Sequence, residues 1–155
     1  MLIRPFKPAD ADALAALFHA SVHEAGIHDY SPAQVASWSS SKPDPESYLR
    51  RAEGRMLFVA EGEDGEPIGY GDLEPSGHID HLYCRPDMIG TGVGSALYAA
   101  LEAAAKRAGI TVLVVEASEA ARRLFERRDF CVDTRNEFTL DGVTMHNYRM
   151  SKTIG

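Results

Sequence analysis

Cys84-Arg85-Pro86-Asp87-Met88-Ile89-Gly90-Thr91-Gly92-Val93-Gly94-Ser95 joins a stretch that reads as a strand, Ile79 to Cys84, to the longest helical pattern in the chain, Ser95 to Ala108. Alternate glycines let successive backbone N–H groups turn toward one point without obstruction by Cβ atoms. The helix that follows adds its own unpaired N–H groups and the positive end of its dipole. The segment therefore reads as a diphosphate cradle made of main chain, with Ile89, Gly90, Thr91, Gly92, Val93, Gly94 and Ser95 as its members. A Walker loop needs a lysine after its last glycine, and Gly94-Ser95-Ala96 has none. A dinucleotide fold shares the outline of strand, glycines, helix and a second strand ending in an acid, here Glu116. Its third glycine is missing, however, and Arg85 to Ile89, including Pro86, part the strand from the glycines. A nicotinamide-nucleotide oxidoreductase is thus the weaker alternative.

Outward from this turn, the chain reads as alternating elements. Leu2 to Phe6 is a short strand, and Pro8 opens a helix with Asp10 and Asp12 in its first turn and an apolar stripe of Leu14, Leu17, Phe18 and Val22. Ser31-Pro32 starts a second helix and Glu46 to Ala52 forms a third. Met56 to Ala60 and Pro67 to Leu73 flank a turn cluster and read as a hairpin. Beyond the central helix come a continuous β-branched strand, Ile110 to Glu116, and a helix from Glu119 to Arg128. A hairpin follows, Phe130 to Leu140 and Val143 to Met150, turned by Asp141-Gly142. The fold class expected is α/β: one domain over residues 1–155, a mixed, mostly antiparallel twisted sheet with helices on both faces.

Composition narrows the function. The 155 residues are 45% hydrophobic, enough for one core, and 16 basic against 23 acidic residues give a net charge of −7. That charge disfavours nucleic acid and anionic membrane as partners, because both require phosphates to be neutralised. Cys84 and Cys131 lack zinc-site spacing and read as reduced thiols of a cytoplasmic protein. His19 and His23, four apart on the first helix, find no third ligand at a recognisable spacing, so no metal is expected.

Ile79-Asp80-His81-Leu82-Tyr83-Cys84-Arg85-Pro86 followed by Gly90-Thr91-Gly92-Val93-Gly94-Ser95-Ala96-Leu97 resembles the central motif of the GNAT superfamily of acetyl-CoA-dependent N-acyltransferases. Ala117 to Phe130, a helix ending in Phe125-Glu126-Arg127-Arg128-Asp129-Phe130, is similar to that family's second signature. The order of elements over nearly the whole chain agrees. Within the two motifs, Ile89 stands where Gln or Arg is usual, Ser118 where Asn is, Asp129 where Gly is, and Phe125 where many members carry a tyrosine.

The resemblance implies acetyl-CoA as cosubstrate and a GNAT-like splaying of the strand at Ile79–Cys84 away from the strand beginning at Ile110. The pantetheine arm would pair with backbone groups of Leu82, Tyr83 and Cys84. The Leu82 N–H would serve as oxyanion donor, and Ser118 and Phe125 would touch the arm from the other side. Strand alternation puts His78 and Asp80 on one face and Ile79 and His81 on the other, unless a bulge intervenes. His78, at a position where some family members place a carboxylate base, and Asp80 are the candidates for taking the proton of the amine, and Tyr148 is a candidate donor. His28, Tyr30 and Trp38, in the segment where the family builds acceptor specificity, are the candidate substrate-binding residues. The implied activity is N-acetylation of a primary amine on a small molecule or peptide, with a non-catalytic acyl-CoA-binding protein as alternative. Arg122, Arg123, Arg127 and Arg128 form the basic cluster, with the last two read as solvated. The terminal hairpin alternates enough to leave a homodimer open.

Overall fold

The computed structural model describes residues 1–155. Chain order is β1 (Leu2–Pro5), α1 (Ala11–Ala20), α2 (Pro32–Trp38), α3 (Glu46–Glu53), β2 (Met56–Glu61), β3 (Pro67–Leu73), β4 (His78–Ile79), β5 (Leu82–Cys84), α4 (Val93–Arg107), β6 (Val112–Ala117), α5 (Glu119–Arg127), β7 (Cys131–Leu140) and β8 (Val143–Thr153). Local chemistry sets several of these ends. The Ser31 hydroxyl accepts from the Gln34 N–H at 3.1 Å, while the Gln34 side-chain Oε1 accepts from the Ser31 N–H at 2.9 Å, a reciprocal cap that starts α2 at Pro32. Ser118 caps α5 in the same sense, accepting from the Ala121 N–H.

The strands form two four-stranded halves, ordered β1-β2-β3-β5 and β4-β6-β8-β7. All pairs are antiparallel except β4 with β6, where His78 and Ile79 lie beside Val114 and Val115. The expected single strand over Ile79–Cys84 is therefore two short strands that belong to different halves. β4 stays with β6, and β5 stays with β3, Tyr70 opposite Tyr83. Between them Asp80 and His81 bulge, and a buried carboxylate stands in for the missing ladder. Asp72, with no exposed surface, accepts from the N–H groups of Asp80 at 3.0 Å and His81 at 2.8 Å through one oxygen. Its other oxygen accepts from Arg51 at 2.8 Å and Arg55 at 3.2 Å.

The bulge corrects one expectation. His81 does not lie with Ile79. It stacks on Phe18 of α1 and shares a 2.8 Å hydrogen bond with the buried Tyr70 hydroxyl, whereas Ile79 packs into the opposite core. An extra residue on one strand reverses the alternation beyond it.

Helices cover both faces. α4 and α5 enclose the larger core with β6 and β8, where Tyr98, Phe125 and Phe130 meet edge to face. α1 and α3 cover the other face, around Leu14, Tyr48, Val59 and Tyr70. Close approach to the neighbouring strand β6 requires Gly77, just before β4. Its φ is +95°, and a Cβ there would stand 2.2 Å from the Val112 carbonyl oxygen. Gly77→Ala is expected to cost about 2–3 kcal/mol in urea unfolding, from left-handed strain and overpacking together.

Candidate active site

The glycine turn folds as a cradle. Gly90 and Gly92 have φ of +81° and +92°, a region that glycine enters freely. The space a Cβ would enter is open at both positions. The N–H groups of Gly90, Gly92, Val93, Gly94 and Ser95 make no hydrogen bond within the protein, while that of Thr91 is tied to the Met88 carbonyl at 3.2 Å. The free amides therefore converge on the N-terminus of the 15-residue helix α4, as an anion site requires. Val93 contributes only main chain, since its side chain packs beneath the sheet with Ala60 and Ile68. Ile89 is exposed beside the cradle and offers no polar contact.

From the cradle a groove of about 400 Å³ runs along β5 between the helical turns that follow α1, Ser21–Ala25 and Gly26–His28, and the face of α5. Antiparallel pairing fixes which main-chain groups face it. The Arg85 N–H donates to Ile68 and the His81 carbonyl accepts from Asp72, so both point toward β3. By alternation, the N–H groups of Leu82 and Cys84 point away from β3, into the gap where β6 no longer follows. Ser118 and Ala121 form the opposite wall, and Arg127, exposed as a solvated residue is, stands at its edge.

Past the parting of the strands lies a second cavity of about 160 Å³ that shares Tyr30, Trp38, Leu82, Tyr83, Ser118 and Ala121 with the groove. Phe125 is buried in its wall and carries no hydroxyl. Two carboxylates reach this cavity. Asp80 accepts from Arg51 at 2.5 Å and Arg55 at 3.3 Å through Oδ2, and Oδ1 is without a partner. Burial works to raise its pKa, but the Arg51 hydrogen bond and nearby positive charge hold it below the usual carboxylate value. Glu116 binds His78 Nε2 through Oε2, and its Oε1 has only Arg149 at 3.9 Å.

His78 is outside the cavity wall. Its Nδ1 meets Glu74 and its Nε2 meets Glu116, an arrangement that favours the imidazolium, in which both ring nitrogens donate. Burial opposes that charge, yet the hydrogen bonds to Glu116 and Glu74 outweigh it and raise the His78 pKa. His81 is the reverse case: burial, with the Arg51 charge beside it, pulls its pKa down to about 4 and keeps the ring neutral.

Tyr30 and Trp38 line both cavities, edge to face at 5.5 Å. The Tyr30 hydroxyl accepts from the Glu119 N–H at 3.0 Å, which locks the α1–α2 connection to the start of α5. Two sequence candidates fall elsewhere. His28 is exposed and lines neither cavity. Tyr148 donates to Glu119 Oε1 at 2.7 Å, behind the wall formed by its neighbour His146, and lies under the Arg122 guanidinium. Strand alternation accounts for the second: Met145 and Asn147 face inward with His146 at the rim, and Tyr148 turns to the core.

Several wall residues escaped the sequence reading. Phe138 and Leu140 on β7, and Met145, His146 and Asn147 on β8, close the far side of the cavity. The signal was present in the alternation of the hairpin, but nothing local tells which face of a hairpin meets a cleft made by distant strands. Glu116 was noticed only as the acid of a dinucleotide fold. The described residues hold no cluster of His, Cys, Asp or Glu suited to a metal ion, and no helix is long and apolar enough to cross a membrane.

Comparison with known proteins agrees with this geometry. Residues 27–152 match the family model described as an acetyltransferase (GNAT) domain. The uncharacterized N-acetyltransferase YafP of Escherichia coli (strain K12) is 28% identical over 149 residues, 96% of this chain and 93% of that protein. An aminoglycoside N(6')-acetyltransferase type 1 of Stenotrophomonas maltophilia is 30% identical over 106 residues, 54% of this chain and 69% of that protein. Among solved structures, a GCN5-related N-acetyltransferase from Rhodopseudomonas palustris superposes with a TM-score of 0.90 at 35% identity, covering 99% of this chain and 95% of that one. The YncA structure from Salmonella typhimurium, solved with acetyl-CoA, shares the fold at 23% identity and a TM-score of 0.75, covering 99% and 93%.

Proposed function

This chain belongs to the GNAT family of acetyltransferases and is an acetyl-CoA-dependent N-acetyltransferase; we propose that residues 1–155 act as one domain in which the glycine turn holds the coenzyme and the cavity beyond β5 receives a primary amine. The observation that carries the reading is the row of unpartnered amides from Gly90 to Ser95, with Thr91 excepted, opening onto a groove of the right chemistry. These residues fit a diphosphate: five main-chain donors and a helix dipole, with no acid among them.

Acetyl-CoA supplies an acetyl thioester, a carbonyl activated for attack by an amine. In this reading Gly90, Thr91, Gly92, Val93, Gly94 and Ser95 hold its diphosphate, with Ile89 packing beside it. The free main-chain groups of Leu82 and Cys84, flanking Tyr83, take the pantetheine arm as an added strand would, and Ser118 and Phe125 pack on it from α5. The Leu82 N–H is the donor placed for developing negative charge on the carbonyl oxygen. Phe125 gives no proton, and a thiol with a pKa of about 8.5 leaves adequately as its anion.

An amine arrives protonated. The free oxygens of Asp80 and Glu116 receive the ammonium, and its proton passes to Glu116 and on to neutral His78, which then becomes the imidazolium clamped between Glu74 and Glu116. The raised His78 pKa gives that transfer its direction. kcat/KM is therefore expected to rise with pH through the His78 pKa, and Glu116→Gln to flatten that limb while leaving coenzyme affinity unchanged. Stability runs the other way. The contribution of protonated His78 is complete below the unfolded value of about 6.5 and is lost as pH rises through the higher folded value. The melting-temperature gap between wild type and His78→Gln is thus expected to be widest in acid and to close with rising pH.

The partner in this reading is a small-molecule or peptide amine, and the net charge of −7 argues against nucleic acid or membrane. Two free cysteines suit a cytoplasmic protein, and the exposed β7 edge is where a homodimer would form. Titration with coenzyme A tests the whole: it is expected to raise Tm, NAD(P) is not, and free thiol is expected to appear when acetyl-CoA and an amine panel are added. Coenzyme binding with no turnover across that panel favours the acyl-CoA-binding alternative.

A further inference from the structure

We propose that the acceptor is a small primary monoamine carrying one apolar ring on a short arm and no acidic group. The inference rests on the assignment of the second cavity to the acceptor and goes on to what that cavity admits.

Size comes first. The cavity measures about 160 Å³, and an apolar protein cavity of about 150 Å³ admits a benzene ring. With the thioester end lying along Leu82, Ser118 and Phe125 of the same wall, one ring and a short arm are the most it admits, and a trisaccharide does not fit. Charge comes second. Asp80 and Glu116 are the acidic groups in its wall, each with an oxygen free of hydrogen bonds, and no lysine or arginine lines it. A carboxylate or phosphinate on the acceptor would face these acids with no lysine or arginine to meet it, and His146 in the wall is already bonded to Glu119 at 2.7 Å, so an amino acid is disfavoured where the matching amine is not.

The third consideration is the far end. Away from the carboxylates, the wall is Trp38, Phe138, Leu140 and Met145, with Phe138 directly opposite Met145 across the hairpin, and with His146 and Asn147, whose Nε2 and Oδ1 are already bonded to Glu119 and Asn136. A second ammonium there would lose water and meet no carboxylate, which disfavours a diamine of equal length. The Tyr30–Trp38 pair, set edge to face at 79°, leaves an aromatic corner that accepts another ring in offset or edge-on contact.

The test uses the intact protein with acetyl-CoA and a set of matched acceptors, reading kcat/KM from released thiol. The set is phenethylamine, phenylalanine, 1,6-diaminohexane, kanamycin and an N-blocked lysine peptide. Phenethylamine is expected to exceed each of the others at least tenfold. Asn147→Arg, which adds a cation to the wall, is expected to shift the phenethylamine-to-phenylalanine ratio at least tenfold toward the amino acid. Melting with coenzyme A is measured alongside. A coenzyme-induced rise in Tm with any other acceptor ahead, or with phenethylamine not acetylated, overturns the acceptor proposal alone. Absence of that rise overturns the coenzyme site on which it rests.

Discussion

Gly92→Glu is expected to abolish coenzyme A binding, weakening it more than a hundredfold by calorimetric titration, with the fold retained. Gly92 stands at the N-terminus of α4 with φ of +92°, and the space its Cβ would enter is open. No neighbour is struck, so two other terms decide the result. The left-handed backbone costs an L-residue about 1–2 kcal/mol, which works to turn the neighbouring amides out of convergence. The added carboxylate sits at the positive end of the dipole and occupies the place of the anion it mimics. Gly92→Ala separates the two, because it carries the strain without the charge and is expected to lose only about tenfold, the equivalent of about 1.4 kcal/mol. A Gly92→Glu protein that binds coenzyme within threefold of wild type would remove the cradle as the coenzyme site.

Asp72→Ala is the largest stability loss expected, about 3–5 kcal/mol, the usual cost of deleting one partner of a buried ionic cluster. The carboxylate is fully buried and receives four donors: the amides of Asp80 and His81 and the guanidiniums of Arg51 and Arg55. Its loss strands two amides and leaves two arginines facing a void. In a chain of this length the fall in Tm should be on the order of 10 °C. The bulge it supports also sets where β4 leaves β5, so the variant is expected to lose turnover in the cold, well below its melting point. Asp72→Asn keeps one acceptor oxygen for the amides and should retain more activity than stability. If Asp72→Ala unfolds within 1 kcal/mol of wild type, the carboxylate is not what holds the bulge.

These two residues mark the boundary of what could be read in advance. Gly92 was legible because its chemistry is local: alternate glycines between a strand and a helix have few uses, and the turn carries its conformation in its own composition. Asp72 sits in Gly-Tyr-Gly-Asp-Leu with no flanking sign of burial. Its partners come from α3 and the turn after it, Arg51 and Arg55, and from the bulge between β4 and β5, and only packing brings them together. His78 shows the intermediate case. Its place at the mouth of the parted strands followed from spacing, but its double clamp depends on Glu116, 38 residues away.

The order of strands and helices, the left-handed glycines, the caps of α2 and α5 and the turn of free amides before α4 were all determined by the sequence alone, because each arises from residues within a few positions of one another. Tertiary structure alone decided the rest. The bulge at Asp80–His81 turned His81 away from Ile79, and Tyr148 was committed to Glu119. The inward face of the β7–β8 hairpin became a wall of the cavity beyond β5. These are contacts between segments far apart in the chain, where a side chain's partner is set by register and close packing rather than by its neighbours in sequence.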